Sequence, residues 1–235
     1  MLSIKKRSLV DMVYDRLREA IIQMQLPLGS KLNVNELQEQ IGVSCTPIRE
    51  AINRLQQEGL VTYENNVGAH IISLATHDVL EIQQLAMTLH CAAIRLAMVN
   101  GDRDTILTDL KLHLAEYAAA QSVQDEVMAV SEFLGTYYHN CGNKRLDLHM
   151  LSIQGQQTLL RYIFASCITQ RAADLPAFRQ MLADTEKGDA EAVCRANIFL
   201  RTAERVLIKV GCFHAETFED LFQGTKALPG ENYIP

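Results

Sequence analysis

The chain has 235 residues, of which 48% are apolar and 21% charged, with a formal net charge of -6. That length accommodates two compact domains, each with a sizeable core. The six cysteines, Cys45, Cys91, Cys141, Cys167, Cys194 and Cys212, show no paired spacing, and no apolar signal segment precedes the first helical pattern. This excludes a secreted disulfide scaffold and predicts a soluble protein of a reducing, cytoplasmic compartment, with no apolar stretch both long and uncharged enough to span a bilayer.

Val10, Val13, Tyr14, Leu17, Ile21 and Ile22 recur at helical spacing, and Leu26-Pro27-Leu28-Gly29 is expected to stop this first helix. A shorter helix is expected from about Asn35 to Ile41, with Leu37 and Ile41 inward and Gly42 as a left-handed C-cap that forces a tight turn. Thr46 reads as the N-cap of a third helix, Pro47 suits its first turn, and Ile48, Ile52 and Leu55 form its buried face. After Gly59 the period changes. Leu60-Val61-Thr62-Tyr63 and Ala69-His70-Ile71-Ile72 read as strands flanking the turn Glu64-Asn65-Asn66-Val67-Gly68, a two-stranded wing. Helix, turn and helix at this spacing present the start of the third helix, with Arg49 near its exposed end, to the major groove of double-stranded DNA.

The run Gly42-Val43-Ser44-Cys45-Thr46-Pro47-Ile48-Arg49-Glu50-Ala51-Ile52, with Leu55-Gln56-Gln57-Glu58-Gly59-Leu60-Val61 after it, resembles the GntR family of bacterial transcription regulators. Their winged-helix domain reads Gly-Val-Ser-Arg-Thr-Pro-Val-Arg-Glu-Ala-Leu and then Leu-x-x-Glu-Gly-Leu-Val. The likeness runs from about Val10 to Ile72. It implies phosphate and base contacts by Ser44, Cys45, Thr46 and Arg49, with lesser ones from Asn35 and from Asn65, Asn66 and Gly68 in the wing. Cys45 departs from the family, which places arginine there, and a thiol offers guanine no bidentate fork. Arg54 either binds phosphate or pairs with Glu50 or Glu58 on its own helix. Lys5, Lys6 and Arg7 are either an arm that reaches DNA or a solvated end. The first domain is close to neutral, and the acidic excess lies mostly beyond the wing.

From Thr76 to about Val210 the pattern is helical almost throughout, punctuated at Asn100-Gly101-Asp102, Gly142-Asn143, Leu175-Pro176 and Lys187-Gly188-Asp189. Val79, Ile82, Leu85, Leu89, Ala93 and Leu96 place one stripe on a long helix, and Leu107, Leu110, Leu114 and Tyr117 another on the next, which predicts an antiparallel bundle. The expected fold is therefore mainly α: a winged helix-turn-helix over residues 1–74, an all-helical domain over 75–210, and a C-terminal extension over 211–235.

Gly142-Asn143-Lys144-Arg145-Leu146 and Gly188-Asp189-Ala190-Glu191-Ala192 resemble landmarks of the FCD-type ligand domain of the same family. Many such domains hold a divalent metal on one aspartate and three histidines. Counted from the landmarks, those positions are Val130, Leu134, Phe178 and Leu200, none of which supplies a donor, so the resemblance implies no metal cofactor here. The usual effector-anchoring arginine falls at Ala86 and a nearby glutamate at His90. The pocket is thus expected to be apolar, with His90, Tyr137 and Arg161 as its polar groups, and either to take an apolar or acyl-type effector or to be filled by its own side chains. A transplanted metal site at His139 with Cys141, His113 or His149 is disfavoured by spacing that sends the first pair to different helix faces.

The reading that follows is a homodimeric regulator on an inverted-repeat operator, modulated by a small effector; the alternative is an effector-independent regulator whose bundle only dimerises. No nucleophile and base at useful spacing and no phosphate-binding glycine loop argue for an enzyme.

Overall fold

The computed structural model describes residues 8–64, 67–167 and 171–196. In the first unit, α1 (Leu9–Ile22) starts at a reciprocal cap: the Ser8 hydroxyl accepts the Asp11 N–H at 3.1 Å and the Asp11 carboxylate accepts the Ser8 N–H at 3.1 Å. It ends earlier than the Leu26-Pro27 signal, because Met24 takes a left-handed φ of 56° and turns the chain away. Asn33 caps α2 (Val34–Ile41) by accepting the Asn35 N–H at 3.0 Å. Leu37 is buried while Ile41 is only half-buried. Gly42, at φ 75°, makes the sharp turn that a β-carbon would strain.

The next helix, α3 (Cys45–Gln57), is capped by Ser44 rather than by Thr46. Ser44 is extended, at φ -66° and ψ 163°, and Thr46 and Pro47 already lie in the first turn. The N–H that Pro47 lacks is one of the leading groups without an intrahelical acceptor, so proline is tolerated there. α3 buries Ile48, Ala51, Ile52 and Leu55 against Val13, Leu17 and Ile21 of α1. Each valine, leucine or isoleucine among these taken from water stabilises by roughly 1.5–3 kcal/mol.

The wing consists of β1 (Val61–Glu64) and β2 (Gly68–Ile71), antiparallel, with Val61 opposite Ile71 and Glu64 opposite Gly68. Strand ends shift by one residue from the periodicity. The other edge of β2 is paired too: the Leu32 N–H donates to Ala69 O at 2.8 Å, the Ile71 N–H to Ser30 O at 2.9 Å, and Lys31 bridges His70. A segment ahead of α2 therefore covers the wing strand that would otherwise be an open edge.

The second unit is helical: α4 (Thr76–Asn100), α5 (Arg103–Ala119), α6 (Val123–Asn140), α7 (Lys144–Cys167), α8 (Arg171–Lys187) and α9 (Ala190–Ala196). The chain divides between Leu74 and Ala75, and the stretch Ser152–Leu159 of α7 groups with the first unit. Asp102 and Ser122 cap α5 and α6 by accepting the N–H groups of Thr105 and Asp125.

Two expectations need correction. Leu85 is exposed, and the inward face of α4 is instead Val79, Ile82, Gln83, Ala86, His90, Ala93 and Ala97, a face that carries two polar residues no apolar stripe would include. Pro176 does not end a helix but sits inside α8, whose run continues to Lys187.

Among the described residues, one helix passes a length and composition test for crossing a membrane: His77–Asn100 of α4, with a mean hydropathy of 1.3. This contradicts the absence of such a stretch expected from sequence. Ala93, Ile94 and Ala97 of that helix belong to the core of the second unit, together with Phe133, Leu134 and Tyr137 of α6 and Phe178 and Met181 of α8. That packing buries a third of the apolar window.

Candidate nucleic-acid interface

Ser44, Cys45, Thr46 and Arg49 share the first turns of α3, where N–H groups without intrahelical partners and the positive end of the helix dipole point outward. Ser44, Thr46 and Arg49 are exposed, and Cys45 is half-buried. The Arg49 guanidinium makes no hydrogen bond or ion pair with any described residue, which leaves its five donors available to a ligand. The Ser44 hydroxyl makes no capping bond to its own helix and is likewise available.

The Cys45 thiol donates to Gln38 Oε1 of α2 at 2.7 Å. The position that departs from the family motif is thus tied to the preceding helix. Asn35 is exposed on α2, and Gly68, at φ 109°, opens β2. Asn65 and Asn66 lie outside the described residues.

Arg54 takes neither partner expected from its helix. Its Nη1 pairs with Asp11 Oδ1 of α1 at 2.7 Å, across an exposed surface. Glu50 and Glu58 are the right distance along the chain, but the crossing of α1 over α3 brings Asp11 closer to the guanidinium. With that hydrogen bond and those from Ser8, the Asp11 carboxyl is held down at about 2.

Sequence reasoning missed Lys31. It is exposed, and its Cε approaches the place a β-carbon on Gly68 would occupy, at 3.7 Å. The pairing of residues 30–32 with β2 puts this ammonium beside the wing. The available signal was Ser30-Lys31-Leu32 between Gly29 and the Asn33 cap, a short extended run.

In the helical unit the expected pocket positions are distributed through a packed core. Ala86, Leu134, Tyr137 and Phe178 are buried and Val130 is half-buried; Leu200 lies outside the described residues. The Phe178 ring is held edge-on between Tyr117, at 4.8 Å, and Phe133, at 5.0 Å. The Tyr137 hydroxyl donates to Thr185 Oγ1 at 2.8 Å, and the Thr185 hydroxyl in turn donates to Met181 O.

His90 meets the Tyr138 ring edge-on at 5.4 Å, and burial, with the Arg161 charge added, presses its imidazole down to about 3. Arg161 Nη1 donates to Ser131 Oγ at 2.6 Å, and burial lowers the guanidinium to about 10. Gln83 Oε1 and the Tyr138 hydroxyl are buried without a hydrogen-bond partner among the described residues.

The side chains of Val130, Leu134 and Phe178 are hydrocarbons and supply no donor to a divalent cation. Among the described residues no three histidine, cysteine, aspartate or glutamate side chains converge on one point.

A three-helix unit with a paired wing, and an arginine near the start of its third helix with no partner among the described residues, defines a winged helix-turn-helix module. Residues 9–71 match the family of bacterial regulatory proteins described as the gntR family. BphR of Paraburkholderia xenovorans (strain LB400), an uncharacterized HTH-type transcriptional regulator, is 31% identical over 98 residues, 42% of this chain and 40% of that protein. YdhC of Bacillus subtilis (strain 168), described in the same words, is 29% identical over 143 residues, 58% of this chain and 64% of that protein. The solved structure of Escherichia coli McbR/YncC superposes with a TM-score of 0.67 at 20% identity, covering 94% of this chain and all of that one, a likeness of fold.

No FCD family model matches. Instead, residues 185–207 match the ferredoxin-like domain of RlmL. YpsC, a candidate RNA methyltransferase of Bacillus subtilis (strain 168), is 51% identical over 49 residues, 21% of this chain and 13% of that protein. The chain therefore spans 13, 40 and 64% of these curated relatives. The landmark Gly188-Asp189 and the position Leu200 both fall inside residues 185–207, in a stretch similar to a different family. Counting from Gly188 to Phe178 and Leu200 loses its footing accordingly.

Proposed function

We propose that the chain is a non-enzymatic, cytoplasmic, sequence-specific DNA-binding transcription regulator that acts as a homodimer on an inverted-repeat operator. The observation that carries this reading is Arg49, exposed and without a partner among the described residues near the start of α3, inside a stretch that matches the gntR family. Two recognition helices related by a dyad double the base contacts that one short helix makes, which is the physical reason for the dimer. Selection of bound fragments from a random duplex library tests it. A recovered palindrome, bound by two chains, supports the reading; retention of random duplex with no consensus overturns it.

The helical unit modulates this binding through a small, metal-independent effector of acyl type. Gln83 Oε1 and the Tyr138 hydroxyl, both buried and lacking hydrogen-bond partners among the described residues, support a ligand with a polar end, since such atoms cost about 1–3 kcal/mol each when left unsatisfied. A second reading is favoured by the Tyr117–Phe178–Phe133 stack, which fills one of the pocket positions with protein: the bundle then only dimerises. Thermal shift against medium-chain fatty acids separates the two. A shift that Tyr138→Phe weakens supports the effector, and an unmoved transition together with unchanged operator affinity supports the platform.

A further inference from the structure

Cys91 on α4 and Cys194 on α9 stand 103 positions apart in sequence and side by side in the second unit. The Cys194 thiol donates to the Cys91 carbonyl oxygen at 3.8 Å. A second contact fixes the same two helices: Arg95, one turn after Cys91, grips Glu191, one turn before Cys194, through two bonds of 2.6 and 2.8 Å. Cys194 is buried and Cys91 half-buried, so one sulfur is shielded and the other reachable, and neither is in a disulfide.

We propose that Cys91 and Cys194 are a reversible redox pair that closes to an intrachain disulfide under peroxide and is reopened by a dithiol reductant. The Cys91 thiolate attacks one oxygen of hydrogen peroxide, forming an S–O bond as the O–O bond breaks and hydroxide leaves. The Cys194 sulfur then attacks the sulfenic sulfur; the S–S bond forms, the S–O bond breaks, and the departing hydroxyl leaves as water with the thiol proton. Two electrons pass from the sulfurs to the peroxide. Cys91, the more accessible sulfur, is the attacking one, and buried Cys194 the resolving one; the neighbouring Cys194 thiol and the Arg95 guanidinium also hold the Cys91 thiol below its ordinary range.

The pair is a geometric rather than a motif feature, since nothing in the spacing of the cysteines links positions 91 and 194. Closure joins α9 covalently to α4 and removes loop entropy from the unfolded chain.

The test treats the full purified chain with equimolar hydrogen peroxide and digests it with trypsin under non-reducing conditions. The expected product is peptide 55–95 joined to peptide 188–195, lighter than their sum by two hydrogens, with a Tm raised by about 5–15 °C that dithiothreitol reverses. Cys91→Ser and Cys194→Ser, each checked for native circular dichroism, lose both the linked peptide and the rise in Tm. Both thiols remaining titratable after peroxide, Cys91 passing to the sulfinic acid unlinked, or either sulfur linking preferentially to another cysteine each overturns the proposal.

Discussion

Tyr14 and Glu58, 44 positions apart, are joined by a hydrogen bond of 2.8 Å from the phenol to Glu58 Oε2, and Arg18 Nε donates to the same carboxylate at 2.9 Å. This acidic residue follows the last turn of α3 and is nearly buried, so both α1 donors converge on the end of α3 and help fix its angle against α1. Removing it strands a guanidinium and a phenol together. Glu58→Ala is expected to destabilise the winged helix by about 2–4 kcal/mol, and Tyr14→Phe by about 1 kcal/mol, measured by urea unfolding.

The same phenol gives a pH signature. Burial, aided by the Glu58 carboxylate, raises Tyr14 from 10.0 to about 12. The folded state therefore keeps a proton that the unfolded state loses, so this stabilisation is complete below pH 10.0 and fades as pH rises toward about 12. Ultraviolet titration of wild type against Tyr14→Phe should show one late-titrating tyrosine fewer in the variant.

Arg49→Ala should weaken operator binding by roughly 1–3 kcal/mol and relax base preference at one position of each half-site. Fluorescence anisotropy on the selected operator checks this; unchanged affinity and salt slope would mean that α3 is not the reading helix. Cys45→Arg restores the family's guanidinium at the start of α3 and breaks the Gln38 contact. It should tighten binding or change the preferred bases, and a shift in neither refutes the idea.

Lys31→Ala should lower affinity for all duplexes alike and flatten the dependence of log K on log salt by about 0.9 per subunit, the mark of one lost phosphate contact. A loss confined to the preferred operator would assign Lys31 to base reading instead.

Asp11 should titrate near 2 by carboxyl NMR and move toward its ordinary 3.8 in Arg54→Met. Because its folded value is depressed, its contribution is present above pH 3.8 and lost as pH falls toward about 2. His90 should stay neutral throughout the physiological range. With its folded value pressed from 6.5 to about 3, stability falls as pH drops through that interval, by up to about 1.4 kcal/mol per pH unit. His90→Leu should flatten that acid limb of Tm against pH.

The module's legibility came from short-range signals. Gly42 had to be left-handed for α2 to hand over to α3, and the 3.6-residue spacing of Ile48, Ile52 and Leu55 named the buried side. The cap was misplaced by two residues because serine and threonine both suit the role; the backbone went extended at Ser44, and Thr46 joined the helix. Leu85 and Pro176 misled for a related reason. A stripe with several apolar choices, and a proline near a helix start, are resolved by the neighbours a helix meets.

By itself the amino-acid sequence determined what neighbouring residues decide: the order of helices and strands through the wing, the likeness of residues 9–71 to the gntR family, and the arginine near the start of α3. Tertiary structure decided which distant groups met. It paired Arg54 with Asp11 rather than with a glutamate on its own helix, set Lys31 beside the wing, gathered Tyr14 and Arg18 on Glu58, and brought the Cys194 thiol against Cys91. Periodicity reports which face of a helix is inward. The crossing of one helix over another, set by packing of side chains far apart in the chain, fixes what that face touches.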